Sequence, residues 1–180
     1  MKEKEDQYYD LTQGFESRKI KKGTILLNQG DIARYIYHVK KGCLKSYVTD
    51  KLDKEHIVQF APENWIITDL NSTLYGVESA ITIDAIVDSE VVFFDKKILH
   101  NLESVQQEAL LKEINRLYNH VIANNKRLIQ LLSATAEERY LTFMETYPSL
   151  VKRLPVKLIA SYLNISPEFL SRIRKRIVKG

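Results

Sequence analysis

The sequence predicts an α+β chain in which an antiparallel β-roll, sandwich or barrel comes first, a long helix second and a cluster of short helices last. Three patterns carry this. Short β-branched and aromatic runs separated by turn residues fill the stretch from Lys19 to about Asp95. Apolar residues then recur at alternating spacings of four and three up to Leu132. From Ser133 onward the chain carries helix-start signals and a strong excess of positive charge.

The strand-like runs are "TILL", "YIYHV", "CLKSYV", "HIVQFA", "ITIDAIV" and "EVVFF". Several of them alternate, as Ile81, Ile83, Ala85 and Val87 do, so one face of each strand is expected to be buried. Gly23, Gly30-Asp31, Lys41-Gly42 and Asp88-Ser89 supply the turns between them. Many short strands so punctuated suit an antiparallel roll, sandwich or barrel.

A helix predicted over residues 104–132 would be roughly 43 Å long, more than a small roll covers. Its first stripe is Leu110, Ile114, Leu117, Val121, Asn124, Leu128 and Leu131, the a/d pattern of a coiled-coil seam, expected to face a second copy of the chain; an amphipathic helix within one monomer is the alternative. Asn124 in that seam lowers stability but favours one register and a two-stranded state. A second stripe, Leu111, Tyr118, Ile122, Ile129 and Leu132, is expected to pack on the roll.

Three shorter helices are predicted after Ser133. Thr135 with Glu138 three residues later forms a capping box. Pro155 suits the first turn of the next helix, and Ser166 followed by Pro167 caps the last. Two helices joined by a tight turn need a small residue at their crossing, a residue tolerant of left-handed backbone in the turn and apolar residues that lock the pair. Ala160 meets the first need and Asn164 the second, while Ile159, Leu163, Ile165, Leu170 and Ile173 supply the lock. This is a helix-turn-helix whose second helix is basic. In a major groove, Ser166, Glu168, Ser171, Arg172 and Lys175 would lie on its exposed face, with Lys179 on the phosphates.

Charge supports a polyanion partner. The net +4 divides into +7 over residues 148–180 and −3 over the rest. With 44% hydrophobic and 28% charged residues the composition is that of a globular protein. The polar start "MKEKEDQYYD" does not look like a secretory signal and no apolar run approaches a membrane span, so a cytoplasmic protein is expected. One cysteine, Cys43, excludes an internal disulfide or a multi-thiolate metal site within these 180 residues. Only His38 and His56 stand in the roll, without the His-x-His spacing of a cupin metal site, and no Ser-His-Asp, Walker or dinucleotide signature occurs, so no enzyme and no cofactor are expected. A dimeric ligand-binding adaptor that never touches DNA stands as the alternative, with a cupin-like enzyme behind it.

Together the segments resemble the Crp/Fnr family of bacterial transcription regulators. "KKGTILLNQGD", "YIYHVKKGCLKSYV" and "FAPENWI" are similar to the family's roll, "SATAEERYLTFM" to its post-hinge helix and "IASYLNISPEFLSRIRKRI" to its DNA-reading pair. The resemblance implies a jelly-roll or double-stranded β-helix effector domain over 1–103, cyclic-nucleotide-binding-like in type, a dimerisation helix over 104–132 and a helix-turn-helix domain over 133–180. It implies duplex DNA, a second copy, RNA polymerase and a small-molecule effector as partners, with Glu168 and Arg172 as base readers. Pro167 stands where many members place a further base-reading arginine, which implies a changed target sequence. The β-hairpin wing that often follows the recognition helix has no counterpart before Gly180.

The sensor segment departs further. Members that bind cyclic AMP carry a Gly-Glu pair and then an Arg-Ser-Ala run; here the stretch reads "NWIITDLNSTLYGVESAITI". Asp69 would replace the ribose acid, but Glu78 precedes Ser79-Ala80 where the phosphate-binding arginine belongs. A carboxylate there repels a phosphate, so cyclic AMP is not the expected ligand. Any effector is expected to be neutral, cationic or apolar, reached by Asp69, Glu78, Ser79, Asn124 and Asn125; the alternative is a pocket filled by its own side chains in a protein regulated by its abundance. An iron–sulfur cluster of the family's redox branch does not fit one cysteine.

Overall fold

Alternation along the short runs pairs them into two four-stranded antiparallel sheets. The computed structural model describes residues 15–97 and 107–179; within these, the side chains at 107–110, 112, 113, 116, 117, 119, 120, 178 and 179 fall outside the description. In chain order the roll consists of β1 (Ser17–Ile20), β2 (Ile25–Leu27), β3 (Tyr35–Lys41), β4 (Leu44–Thr49), β5 (Glu55–Ala61), β6 (Ile66–Ile67), α1 (Leu70–Tyr75), β7 (Thr82–Ala85) and β8 (Ser89–Asp95). One sheet runs β1-β8-β3-β6 and the other β2-β7-β4-β5. Each of the six predicted runs contains a strand, while β1, β6 and α1 are additions. The sequence "SRKI" of β1 is an edge strand with exposed basic residues, so it lacks the apolar signal.

Between the sheets lie Leu27, Tyr37, Val39, Leu44, Ala61, Ile67, Ile83, Ala85 and Val91. Burying each large aliphatic or aromatic side chain of this set contributes about 1.5–3 kcal/mol. Tyr37 keeps its hydroxyl satisfied by donating to the Leu26 carbonyl at 2.7 Å. Cys43 is buried, and burial pushes its thiol up to about 12.

The helical part comprises α2 (Gln107–Ser133), α3 (Ala136–Thr146), α4 (Leu150–Arg153), α5 (Val156–Tyr162) and α6 (Pro167–Lys179). The predicted capping box is present: the Thr135 backbone N–H donates to Glu138 at 2.7 Å and the Glu138 N–H returns to the Thr135 hydroxyl at 3.3 Å. Four helices follow α2 where the sequence predicts three. The extra turn, α4, forms after Pro148, where the Leu154 N–H donates to the Leu150 carbonyl at 2.9 Å and the Leu150 side chain is buried.

These helices do not stand apart from the roll. Cys43, Tyr47, Ile57, Phe60 and Ile86 from the strands and their adjoining turns share one core with Tyr140, Phe143, Tyr147, Leu150, Leu154, Ile159, Ala160, Leu163, Leu170 and Ile173. Phe60 is the hub, its ring 5.3 Å from that of Tyr162 and 6.2 Å from those of Phe143 and Tyr147. Ile86 breaks the alternation of its run because it faces this second core, whereas Ile83 and Ala85 face the first.

One expectation is corrected by this arrangement. The second stripe of α2 is not buried on the roll: Leu111, Tyr118, Ile122, Ile129 and Leu132 are all exposed within the single chain, Ile122 and Ile129 facing β5 across a cavity. The outer surface of β4 and β5 is already covered by α3 and α5, which carry larger aromatic side chains to it.

Candidate nucleic-acid interface and sensor sites

The turn between α5 and α6 is built as its residues dictate. Asn164 adopts the left-handed region at φ 54°, and the Ile165 N–H then donates to the Ala160 carbonyl at 3.0 Å. Ala160 is fully buried at the crossing, with Ile159, Leu163, Leu170 and Ile173 buried around it. Ser166 caps α6 by accepting from the Phe169 N–H at 3.2 Å.

That geometry separates the charges of α6 into two faces. Arg176 turns back to Glu137 on α3 at 2.8 Å, and Arg174 lies over the Tyr140 ring at 5.5 Å. Glu168, Ser171, Arg172 and Lys175, spaced as one helical face, are exposed, as is Ser166. The backbone N–H at Glu168 itself, the Ser166 hydroxyl and the Arg172 guanidinium hold the Glu168 carboxyl below its usual range. Arg172 rests 5.2 Å over the ring of Phe169, a half-exposed residue that sequence reasoning missed because it sits among the apolar lock positions. The Lys179 side chain lies outside the described residues.

The seam of α2 is likewise unpartnered in one chain. Ile114, Val121, Leu128 and Leu131 are exposed between 36% and 56%. Asn124 and Asn125 are exposed with them. Leu110 and Leu117 fall in α2, but their side chains lie outside the described residues.

The residues proposed for the sensor segment are only partly brought together. Asp69 is buried and caps α1, accepting from the Ser72 N–H at 3.1 Å, the Ser79 hydroxyl at 3.0 Å and the Ala80 N–H at 2.9 Å. Burial alone would raise its pKa, but these three donors outweigh burial and hold the carboxyl below its usual range. Ser79 is buried against it, whereas Glu78 is exposed and pairs through its backbone with Ile32. Asn124 lines a different place, a cavity of about 520 Å³ bounded by β5, Trp65, α2, α3 and the end of α5, which Asp69, Glu78 and Ser79 do not line.

Sequence reasoning missed the residue that ties the three parts together. Arg127 of α2 donates to the carbonyls of Val58, of Ile57 at 2.8 Å and of Tyr162 at 3.1 Å, with its guanidinium 4.0 Å over the Tyr162 ring. An arginine one place outside the apolar seam gives no sequence signal beyond its charge. Lys45 was missed too: its buried ammonium pairs with Glu55 and with Asp84 at 3.5 Å. Among the described residues, no group of three or more His, Cys, Asp or Glu lies close enough to hold a metal, and no helix is long and apolar enough to cross a membrane.

A β-roll fused through a shared core to a capped, basic helix-turn-helix defines a DNA-binding regulator as the class of protein. Comparisons with known proteins agree. Residues 17–104 match the cyclic nucleotide-binding domain family. The chain is 30% identical to the fumarate and nitrate reduction regulatory protein of Vibrio cholerae, over 98% of this chain and 74% of that one. It is 27% identical to the transcriptional activator protein FnrA of Stutzerimonas stutzeri, over 88% of this chain and 69% of that one. The structure of FixK2 from Bradyrhizobium japonicum has a TM-score of 0.77 at 18% identity, over 92% of this chain and 85% of that one, which is a likeness of fold. The chain belongs to the Crp/Fnr family of transcription regulators.

Proposed function

We propose that the chain acts in the cytoplasm as a homodimer that reads two DNA half-sites about one helical turn apart, with α6 of each copy in the major groove. The single observation that carries this is the exposed row Glu168, Ser171, Arg172 and Lys175 on a helix from which two further basic residues, Arg174 and Arg176, are turned onto α3. Arg172 is suited to bidentate pairing with guanine, Glu168 to accepting from cytosine, and Ser166, Lys175 and Lys179 to holding the backbone. The exposed seam of α2 is the surface for the second copy. Residues 1–103 then serve as the effector domain, 104–132 as the dimer helix and 133–180 as the reader, which works by changing the population of two arrangements of the paired long helices.

Cyclic AMP is not the effector in this proposal, because the acid at Glu78 has no basic residue near it in sequence and Asp69 is spent on α1, Ser79 and Ala80. RNA polymerase is the downstream partner implied by the family. Selection of bound fragments from the source genome, followed by duplex titration, tests the proposal: a preferred palindromic site whose affinity falls steeply with salt is expected. Equal, weak binding to every duplex would leave the ligand-binding adaptor instead.

A further inference from the structure

The cavity between β5, α2 and α3 has a chemistry unlike the roll segment. Three cations, Lys126, Arg127 and Arg139, line it, and none of its lining residues is an Asp or Glu. Among the described residues, none of the three is paired with a carboxylate. Arg139 donates to the carbonyls of Leu163 at 3.1 Å and Ala134 at 2.7 Å.

Arg127 is the more telling of these. It is part-buried, its terminal nitrogens reach backbone carbonyls, and its Nε is buried without a partner among the described residues. A cation withdrawn from water without a counter-charge is costly to the fold and is offset when an anion arrives. Gln59 Nε2, on another lining residue, is a second buried donor without a partner among the described residues. The rest of the wall is largely apolar or aromatic: Trp65, Phe143 and Ile122 with the rings of Tyr147 and Tyr162. At about 520 Å³ the space lies in the range of small-molecule sites.

We propose that this junction cavity is a binding site for a small organic anion with an aromatic or apolar body, an aryl carboxylate being the simplest member of the class. The anion sits among Lys126, Arg127 and Arg139, and its body lies against Trp65 and the aromatic rings. Because the lining comes from the roll, the long helix and the reader together, occupancy favours one relative placement of the three and so shifts DNA affinity. That last step rests on the DNA-binding function proposed above; the binding itself does not. The acidic stretch around Glu78 belongs to another part of the roll, so the two places need not accept the same ligand.

Trp65 is the single tryptophan of the chain and lines the cavity, so its emission reads the site directly. The experiment titrates the full chain with benzoate and phenylacetate, with their uncharged amides as controls, and compares quenching of Trp65 by iodide and by caesium. The expected result is stronger quenching by iodide, a saturable emission change with the carboxylates but not the amides, and protection from iodide once a carboxylate is bound. Lys126→Glu, at an exposed position, should weaken carboxylate binding by about tenfold or more while the melting temperature stays put. Equal quenching by both ions, equal action of acids and amides, no response to any carboxylate at millimolar concentration, or an unaffected Lys126→Glu variant would each overturn the proposal. Trp65 that both ions reach only when the dimer is diluted apart would also overturn it, by giving the cavity to the second copy. If carboxylates titrate Trp65 but no duplex is bound, the DNA-binding proposal fails and the anion site stands; duplex binding with a silent Trp65 removes the site alone.

Discussion

Arg153 of α4 grips Glu63 of the roll with both ends of its guanidinium, one nitrogen 3.0 Å from Oε2 and the other 2.9 Å from Oε1. The same carboxylate accepts from the Gly42 N–H at 3.0 Å, so the turn between β3 and β4 and the helical unit hang on one side chain. A fork-to-fork pair fixes angle as well as distance, which a lysine in place of Arg153 would not. The rings of Trp65 and Tyr147, which join the roll to the helical unit within the shared core, stand 5.4 Å apart.

Breaking this clamp should cost little stability and much placement. Both side chains are more than a third exposed, so a double-mutant cycle of Glu63→Gln and Arg153→Gln should give a coupling of only about 0.5–1 kcal/mol in urea denaturation. The Arg153 fork, opposed by burial, sets Glu63 below its usual range. A carboxylate depressed in the folded state contributes stability that is full above its unfolded pKa and is lost as pH falls through the folded value. The coupling should therefore persist at pH 6 and shrink below about pH 4.3, the ordinary glutamate value. A coupling that grows on acidification would contradict it.

Gly42 should tolerate no side chain. Its φ is +98°, and a Cβ placed there would come within 2.3 Å of the Ser89 hydroxyl and 2.8 Å of the Ser89 backbone. The strained backbone alone costs about 1–3 kcal/mol. Thermal denaturation of Gly42→Ala should show a loss beyond that range, and Ser89→Gly in the same chain should recover only part of it, because the clash with the backbone at position 89 persists. Full recovery would mean that the hydroxyl alone sets the restriction.

Much of this architecture is legible in sequence because its signals are local. The strand runs, the Thr135–Glu138 box and the Asn164 turn depend on neighbours within a few residues, and each appears where it was expected. What escapes is long-range: Phe60 meeting Tyr162, Arg153 meeting Glu63, and Arg127 reaching Ile57 join residues some 70 to 100 positions apart. The misassigned second stripe of α2 has the same origin. Periodicity announces an apolar face but not which surface is free to receive it, and here α3 and α5 already occupy the roll. At the reader helix, composition supplied the charge, while the division of Arg174 and Arg176 from Arg172 and Lys175 needed the position of α3.

Assembly through α2 should fail when charge enters the seam. Val121→Glu places a carboxylate at a side chain that is 48% exposed in one chain, on the face proposed for the second copy. Sedimentation should show a dimer for the native chain and a monomer for the variant, with DNA affinity falling because the second half-site is no longer tethered. Asn124→Leu should hold or raise stability while admitting other registers or larger oligomers. A native chain that sediments as a monomer at micromolar concentration would remove the seam.

At the DNA surface, three neighbouring basic residues should behave differently. Arg172→Ala should cost about 1–3 kcal/mol on the preferred site and relax base choice at one position per half-site. Lys175→Ala should weaken all sequences alike and flatten the salt slope by about one per copy. Arg176→Ala removes an ion pair to Glu137 and should lower thermal stability slightly with the salt slope unchanged. Identical losses for all three on specific and random duplexes would assign the tail a solubilising role only.

The roll should refuse cyclic AMP, for a reason that one charge states. By the resemblance, Glu78 stands where cyclic-AMP-binding members carry the phosphate-binding arginine, and the stretch from Asn64 to Ser89 contains no Lys or Arg to take its part. At an effective dielectric near 20, two unit charges about 4 Å apart interact by roughly 4 kcal/mol, so repulsion in place of attraction removes several orders of magnitude of affinity. Asp69, which the resemblance aligns with the ribose acid, is no freer, since its oxygens are taken by Ser72, Ser79 and Ala80. Asp69→Ala should accordingly destabilise the fold, by about 0.5–2 kcal/mol for the lost helix cap alone, without changing any ligand response. Calorimetry should detect no cyclic AMP binding to the native chain up to about millimolar concentration, the scale of a 4 kcal/mol interaction. Glu78→Arg should create weak binding if Glu78 stands at the phosphate position, and micromolar binding to the native chain would show that the phosphate is received elsewhere.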